Sequence, residues 1–457
     1  MICYNRLARE WLREQGECLD ATEAQEEAKL PERNVSDRER ALIAKARQFM
    51  PGGSLGNLFG GVVISEGYRG RVKDVSGNEY VDFLLGSGPM LIGHAHPEVV
   101  DAVREQIERG TTFFADNENA IRLAEETVEA VPCADKVRFC STGSEATLYA
   151  MRTARAFRKR DKILKFEGGF HGMNDYALMS MAPAHPQDFP HPTPDSPGIP
   201  KSVQSEMLIA PFNDIETTSA IIDRYHNELA GVIVEPFQRL LPPKPGFLEG
   251  LRQITEMYEI PLIFDEVVTG FRFSYGGAQE YYGVTPDLCT LGKAIAGGFP
   301  LTALVGRDEL MDHFDPVASE SESFLPQIGT LSGNPVAAAA GLATLRVLRR
   351  EGTYERLFEV GRQLKDTLQR LLDEAEIPAQ VIGEAPLFDV FFTEGEISDY
   401  RSTLQADRAL ASRFTALLLD RGVLRGSTKF YISTAHDAAD IEHTVQAFAS
   451  AIDALKG

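Results

Sequence analysis

Two rhythms of apolar and polar positions run along this chain. Short, almost wholly apolar runs recur in its middle: Val137-Arg138-Phe139-Cys140, Lys162-Ile163-Leu164-Lys165-Phe166, Gly231-Val232-Ile233-Val234-Glu235 and Pro261-Leu262-Ile263-Phe264-Asp265. Each is the length of a buried strand. Between them lie stretches with helical spacing, at 144–158 and in a segment ending near Tyr258. Strands apolar on both sides, alternating with helices, predict a mainly parallel sheet covered on both faces. Ligands of such sheets sit beyond the carboxyl ends of the strands. Polar residues ending these runs, such as Glu235 and Asp265, are therefore the first candidates for chemistry.

The flanks read differently. Residues 1–35, rich in Glu, Arg and Gln, predict a helical extension. Ser36-Asp37-Arg38-Glu39 has the form of a capping box before a helix that stops near Pro51. Alternation over 72–84 around Ser76-Gly77-Asn78 predicts a hairpin, and 97–108 a helix. The proline-rich 178–205 reads as a long surface loop. After Asn334-Pro335 a long Ala/Leu helix runs to about Arg350, and further helices are expected near 354–372, 405–421 and 438–455. The expected division is an extension (1–35), an N-terminal segment contributing to a small domain (36–94), a large domain (95–335) and a C-terminal small α+β domain (336–457).

Composition narrows the function. With 457 residues, 43% of them hydrophobic and 25% charged, the chain is of globular type and long enough for two or three domains. Its net charge of −21 opposes phosphate backbones and anionic lipid, so neither nucleic acid nor a membrane is an expected partner. No apolar run approaches the ~18 residues of a spanning helix, and the first residues carry no signal-peptide apolar core. The five cysteines (Cys3, Cys18, Cys133, Cys140, Cys289) are scattered, without a Cys-x-x-Cys pair. Free thiols in a reducing compartment, hence a cytoplasmic location, are the expectation.

Four segments carry candidate chemistry. Ser141-Thr142-Gly143-Ser144-Glu145-Ala146 joins a strand to a helix; it can hold a phosphate on free N–H groups, or be a plain turn capped by Ser144. Asp265 ends an apolar strand, where a carboxylate needs a cation or strong donor. Lys293 stands among small and apolar residues in Leu291-Gly292-Lys293-Ala294-Ile295-Ala296-Gly297-Gly298; desolvation there favours the neutral amine that a Schiff base requires. Phe170, in Glu167-Gly168-Gly169-Phe170-His171-Gly172, can stack on a planar ring or simply be core.

Together with Gly88-Pro89-Met90-Leu91-Ile92-Gly93-His94-Ala95-His96-Pro97 and Gly329-Thr330-Leu331-Ser332-Gly333-Asn334-Pro335, these segments resemble class III aminotransferases among the fold-type I pyridoxal-phosphate enzymes. Within them the resemblance is to the glutamate-1-semialdehyde aminomutase-like branch, from about residue 40 to the C-terminus and in family order. It implies an α/β fold with a large, mainly parallel sheet domain and a smaller α+β domain. It implies pyridoxal 5'-phosphate, alternating with its pyridoxamine form, held by Lys293 as a Schiff base. Asp265 would keep the ring nitrogen protonated so that the ring accepts electrons. Gly143 and Ser144 would cup the phosphate, and Phe170 and Val267 would cover the two ring faces. His171, Glu235 and Gln238 would lie at the cofactor, Gln238 toward the ring hydroxyl. Thr330 would reach the phosphate of a neighbouring subunit, which implies a homodimer with shared active sites.

The chain also departs from the aminomutase pattern. Phe59 stands where that branch has a carboxylate-gripping arginine, and Ser87 where it has a tryptophan. An apolar ring cannot replace a bidentate cation. Phe59, Ser87 and Arg239 are the expected substrate contacts, with Arg239, Arg425 and Lys429 as candidate cations for a carboxylate. The expected activity is an aminotransferase moving an amino group from an amino acid or related amine to a keto acid or aldehyde. The alternatives are an aminomutase, a racemase or decarboxylase on the same fold, or a non-catalytic pyridoxal-phosphate-binding protein. His94 and His96 could share one face, but no further ligands complete a metal site, and none is expected. Arg272 is expected to hold a local salt bridge.

Overall fold

The computed structural model describes residues 33–57, 61–319 and 323–456. All of the expected extension but 33–35 lies outside the described residues, as do Phe59, Cys3 and Cys18. A helix at Asp37–Phe49 starts the described chain. Ser36 caps it by accepting from the Glu39 N–H at 3.3 Å. The Glu39 carboxylate, however, turns away from the cap to Arg33 (2.9 Å) and the Val63 N–H (2.9 Å), so the expected box is half-formed. A meander of β1 (Ile64–Tyr68), β2 (Arg71–Asp74) and β3 (Glu79–Asp82) follows, β2 and β3 being the expected hairpin.

Seven strands then build the central sheet: β4 (Lys136–Cys140), β5 (Lys162–Phe166), β6 (Met207–Ala210), β7 (Leu229–Val234), β8 (Leu262–Glu266), β9 (Leu288–Leu291) and β10 (Thr302–Gly306). Their order is β4-β10-β9-β8-β7-β5-β6. All neighbours pair in parallel except β10, which is antiparallel to both β4 and β9. The fold is thus the expected α/β type around a large, mostly parallel sheet. Successive side chains of a strand face opposite layers. Leu164, Val232, Leu262 and Phe264 pack one face with Phe247 and Leu251, while Ile163, Ile233 and Ile263 pack the other with Ala150, Met151 and Ala154 of the helix Gly143–Arg158. Burying both faces accounts for the unbroken apolar runs of strands such as β6 and β7.

The helix Pro335–Leu348 is buried almost throughout and joins the sheet to the C-terminal layer. There, helices Thr353–Glu374, Arg408–Asp420 and Ala438–Lys456 pack on β11 (Gln380–Glu384), β12 (Leu387–Phe391) and β14 (Phe430–Tyr431), while β13 (Val423–Leu424) pairs with β3. Among the described residues no helix is long and apolar enough to cross a membrane.

Candidate active site

The carboxyl ends of β4, β5, β7, β8 and β9 face one edge of the sheet, and the antiparallel β10 begins there. At that edge lies a cavity of about 300 Å³ whose walls include Ser144, Phe170, Glu235, Asp265, Val267 and Lys293. Residues from five segments of the chain thus meet at one place. The volume is at the lower end of small-molecule sites.

The helix Gly143–Arg158 contributes its N-terminus. Thr142, not Ser144, is the cap: its hydroxyl accepts from the Glu145 N–H at 3.2 Å. Glu145 answers by accepting from the Ser141 and Thr142 N–H groups, both at 2.9 Å. The capping box therefore uses the N–H groups of Ser141, Thr142 and Glu145. Those of Gly143 and Ser144 keep no acceptor among the described residues. Unpaired N–H groups at the positive end of a helix dipole hold anions. Ser144 Oγ accepts from the Met173 N–H at 2.9 Å, and a Cβ on Gly172 (φ 89°) would lie 2.6 Å from that oxygen. Only glycine lets the Phe170–Met173 segment lie against the helix start.

Asp265 is 5% exposed. Its Oδ2 meets His171 Nδ1 at 2.8 Å, and its Oδ1 accepts from Thr290 Oγ1 at 2.9 Å. Thr290 is its direct partner on β9. His171 Nε2 and Gln238 Oε1 are buried without partners among the described residues. Both lie against Gly169, whose Cβ would fall 3.1 and 3.3 Å from them. Gln238 Nε2 is already engaged, donating to the Glu167 carbonyl at 2.8 Å.

Lys293 follows β9, at the start of a short 3-10 turn, with φ 49°. A non-glycine residue in the left-handed region is held there by its surroundings. Burial pushes its ammonium pKa down; Tyr431 and the carboxylates of Asp265 and Glu235 oppose that shift, and Lys429 adds to it. Its Nζ has no hydrogen-bond partner among the described residues. Phe170 is 37% exposed, and its backbone N–H donates to Glu235 Oε2 at 2.8 Å. Val267 lines the cavity beside Gly143 and Gly292.

The donor set fits pyridoxal phosphate: free N–H groups for the phosphate, a fixed carboxylate for the ring nitrogen, apolar Phe170 and Val267 for the ring, and an unengaged amine. The structure does not bring every sequence candidate to this cavity. Ser87 is exposed in the turn at Leu85–Ser87, and Thr330 is exposed as well. Arg425 is taken by Asp389 (2.9 Å), so it is no longer a candidate cation for a carboxylate. The expectation for Arg272 is corrected: it faces no carboxylate among the described residues. Its guanidinium donates to the carbonyls of Gly88 and Val268 and lies over the Tyr431 ring. His94 is bound to Asp82 at 2.7 Å. Thr290 was not singled out by its sequence; its signal was register, opposite a charged strand end.

Comparison with known proteins supplies the family. The model of the family Aminotransferase class-III matches residues 56–452. A glutamate-1-semialdehyde 2,1-aminomutase of Methanothermobacter thermautotrophicus is 43% identical over 392 residues, covering 84% of this chain and 90% of that protein. Among solved structures, an omega-transaminase from Sphaerobacter thermophilus superposes with TM-score 0.88 at 36% identity, covering 92% of this chain and 98% of the other. A transaminase with pyridoxal phosphate bound superposes with TM-score 0.85 at 30% identity, covering 93% and 99%. The chain belongs to the class III aminotransferases, pyridoxal-phosphate-dependent enzymes of fold type I.

Proposed function

We propose that this enzyme transfers an amino group between two molecules, from an amino acid or related amine to a keto acid or aldehyde. The observation that carries transfer over internal exchange is Phe59, an apolar ring where the aminomutase pattern has its carboxylate-gripping arginine.

Bound here, pyridoxal phosphate supplies an electron sink next to the substrate carbon. Gly143 and Ser144 would hold its phosphate, Phe170 and Val267 its ring, and Asp265 the proton on its ring nitrogen. Asp265 is suited to that task because His171 and Thr290 fix both oxygens, so it cannot rotate away. Lys293 Nζ, depressed in pKa and engaged by no other group among the described residues, takes a proton from the substrate carbon and returns one. His171 holds Asp265 in place, and Glu235 holds the backbone of Phe170.

We further propose a homodimer. Phe113, Phe114, Ile328 and Leu331 are exposed, and Asn334 ties their two segments together through the Thr111 carbonyl at 2.6 Å. An apolar surface of this kind fits a second copy. Thr330 lies on it, where the family's cross-subunit phosphate contact would come from.

The test is the visible spectrum of the loaded protein. Loss of the cofactor band with one amino donor, and its return with a keto acid, is the expected result. The second reading, an aminomutase, is favoured by relatives such as the 43% identical methanogen protein. Internal 2,1 exchange of the amino group of glutamate-1-semialdehyde, with no band change from any other donor, would establish it instead.

A further inference from the structure

A short piece of the C-terminal layer reaches across the molecule to the segment that carries Phe170 and His171. It is a single helical turn, Tyr400–Thr403, capped by Asp399, which accepts from the Ser402 N–H at 2.7 Å. From that turn Arg401 meets Glu167, the residue that follows β5. Its Nε lies 2.7 Å from Glu167 Oε2 and its Nη2 3.2 Å from Oε1, across 234 residues of sequence. A guanidinium that meets both oxygens of a carboxylate fixes direction as well as distance. Glu167 is 3% exposed, and a carboxylate so buried is costly without a partner. Beside it Tyr400 abuts Gly168 (φ 85°), where an added Cβ would lie 2.7 Å from the tyrosine Cβ. The same turn grips the proline-rich loop. Arg401 Nη2 donates to the Gln187 carbonyl at 2.6 Å, and Tyr400 Oη to the Pro183 carbonyl at 2.9 Å.

Glu167 opens the run Glu167-Gly168-Gly169-Phe170-His171. Phe170 is 37% exposed, so packing does little to fix its ring, and its place depends on the backbone that carries it. Two glycines in a row give that backbone more freedom than other residues would. Ties within the sheet domain restrain it. Gln238 Nε2 donates to the Glu167 carbonyl at 2.8 Å, Lys165 Nζ to the Gly169 carbonyl at 3.1 Å, and the Phe170 N–H to Glu235 Oε2 at 2.8 Å. The Arg401 pair pulls on the same run from the C-terminal layer. A shift of the run would move Phe170 on the cavity wall and His171 against Asp265 Oδ2.

We infer that Arg401 is a positioning residue for the reaction: through Glu167 it sets where Phe170 and His171 stand against the cofactor ring. Neither Arg401 nor Glu167 lines the cavity, so both act through the run they hold. A displacement of about 1 Å at a reacting group can slow a reaction up to about a hundredfold. The inference rests on the ring roles proposed above for Phe170 and His171, and it is independent of which amine is the donor.

The test is visible circular dichroism of the cofactor-loaded protein, read beside titration of the cofactor-free protein with pyridoxal phosphate. The dichroic band reports how the ring is held in its chiral surroundings. Arg401→Gln and Glu167→Met should each lower the band per bound cofactor and weaken cofactor binding about fivefold. With an active donor, kcat should fall about tenfold and KM stay within about twofold. Arg401→Lys keeps the charge without the two-pronged fit and should recover part of each loss. Arg401 and Glu167 act as one unit, so the double variant should be no worse than either alone. It also leaves no unpaired buried charge, and it decides the matter should Arg401→Gln fail to fold. An unaltered band and cofactor affinity in Arg401→Gln overturns the inference, whatever happens to its midpoint in urea, because the pair would then be a structural tie alone. Wild-type behaviour of Glu167→Met beside an impaired Arg401→Gln overturns the route through Glu167. An unaltered band in Phe170→Ala overturns the ring role of Phe170 and the inference with it. Failure of every amino donor to change the absorbance would overturn transfer, while the dichroism and the cofactor affinity, which need no donor, still decide the role of Arg401.

Discussion

Two lysines stand along the same sheet, and their surroundings differ. Lys165, in β5, is wholly buried; its Nζ donates to the carbonyls of Gly169 (3.1 Å), Ala177 (2.8 Å) and Met179 (2.6 Å). Lys293, after β9, is half-buried on the cavity wall and donates to none of the described residues. Desolvation depresses both, Lys165 to about 7. A shifted pKa therefore does not single out the reactive amine. What separates the two is the occupancy of the donors: Lys165 spends its three on the chain that wraps it, and Lys293 keeps them for a guest.

The strongest way to break this comparison is Lys293→Ala, expected to lower turnover about 10⁴-fold. Single-turnover absorbance measurements check it, and a variant retaining most of its activity would mean that another amine serves. Asp265→Asn comes next. It removes the charge but keeps the shape, and kcat should fall by roughly 10²- to 10³-fold, a loss of electrostatic stabilisation read from steady-state kinetics. Lys165→Met sharpens the contrast from the other side. It leaves three buried carbonyls unpaired and should cost about 3 kcal/mol of stability in urea unfolding, while the cofactor band persists. A Lys165→Met protein of unchanged stability without the band would reverse the roles given to the two lysines. The smallest effect is expected from Thr290→Val, which frees one oxygen of Asp265. A loss of about 1 kcal/mol, or some fivefold in kcat/KM, is its expected size.

Asp265 and Lys293 were legible in the sequence because each breaks a rule of its own neighbourhood, a charge at the end of an apolar run. The strands of the parallel core were legible for the same reason, since burial on both faces leaves a continuous apolar run. Features that depend on who faces whom were not. Ser144 looked like the cap, but Thr142 stands one turn-geometry step earlier, where its hydroxyl reaches the Glu145 N–H. Glu39 had the right spacing for a box, yet Arg33 and Ser76 compete for its carboxylate across the fold. Arg272 met carbonyls where an acid was expected, because the turn at Gly88 brings backbone to it. No local pattern distinguishes Arg425, which is paired with Asp389, from Lys429, which has no such partner among the described residues.

The antiparallel strand β10 has a consequence for how this protein comes into being. Among the described residues it alone stands in the sheet between β4, which leads into the phosphate cradle, and β9, which leads into Lys293. Its Thr302 hydroxyl fastens to the Thr142 carbonyl at 3.0 Å, across 160 residues of sequence. Contacts of such separation form late, since loop closure must precede them. Neither half of the site exists as a site until this seam closes. Cofactor uptake should therefore report closure of the β4-β10-β9 seam, and saturating cofactor should hold that seam shut by mass action.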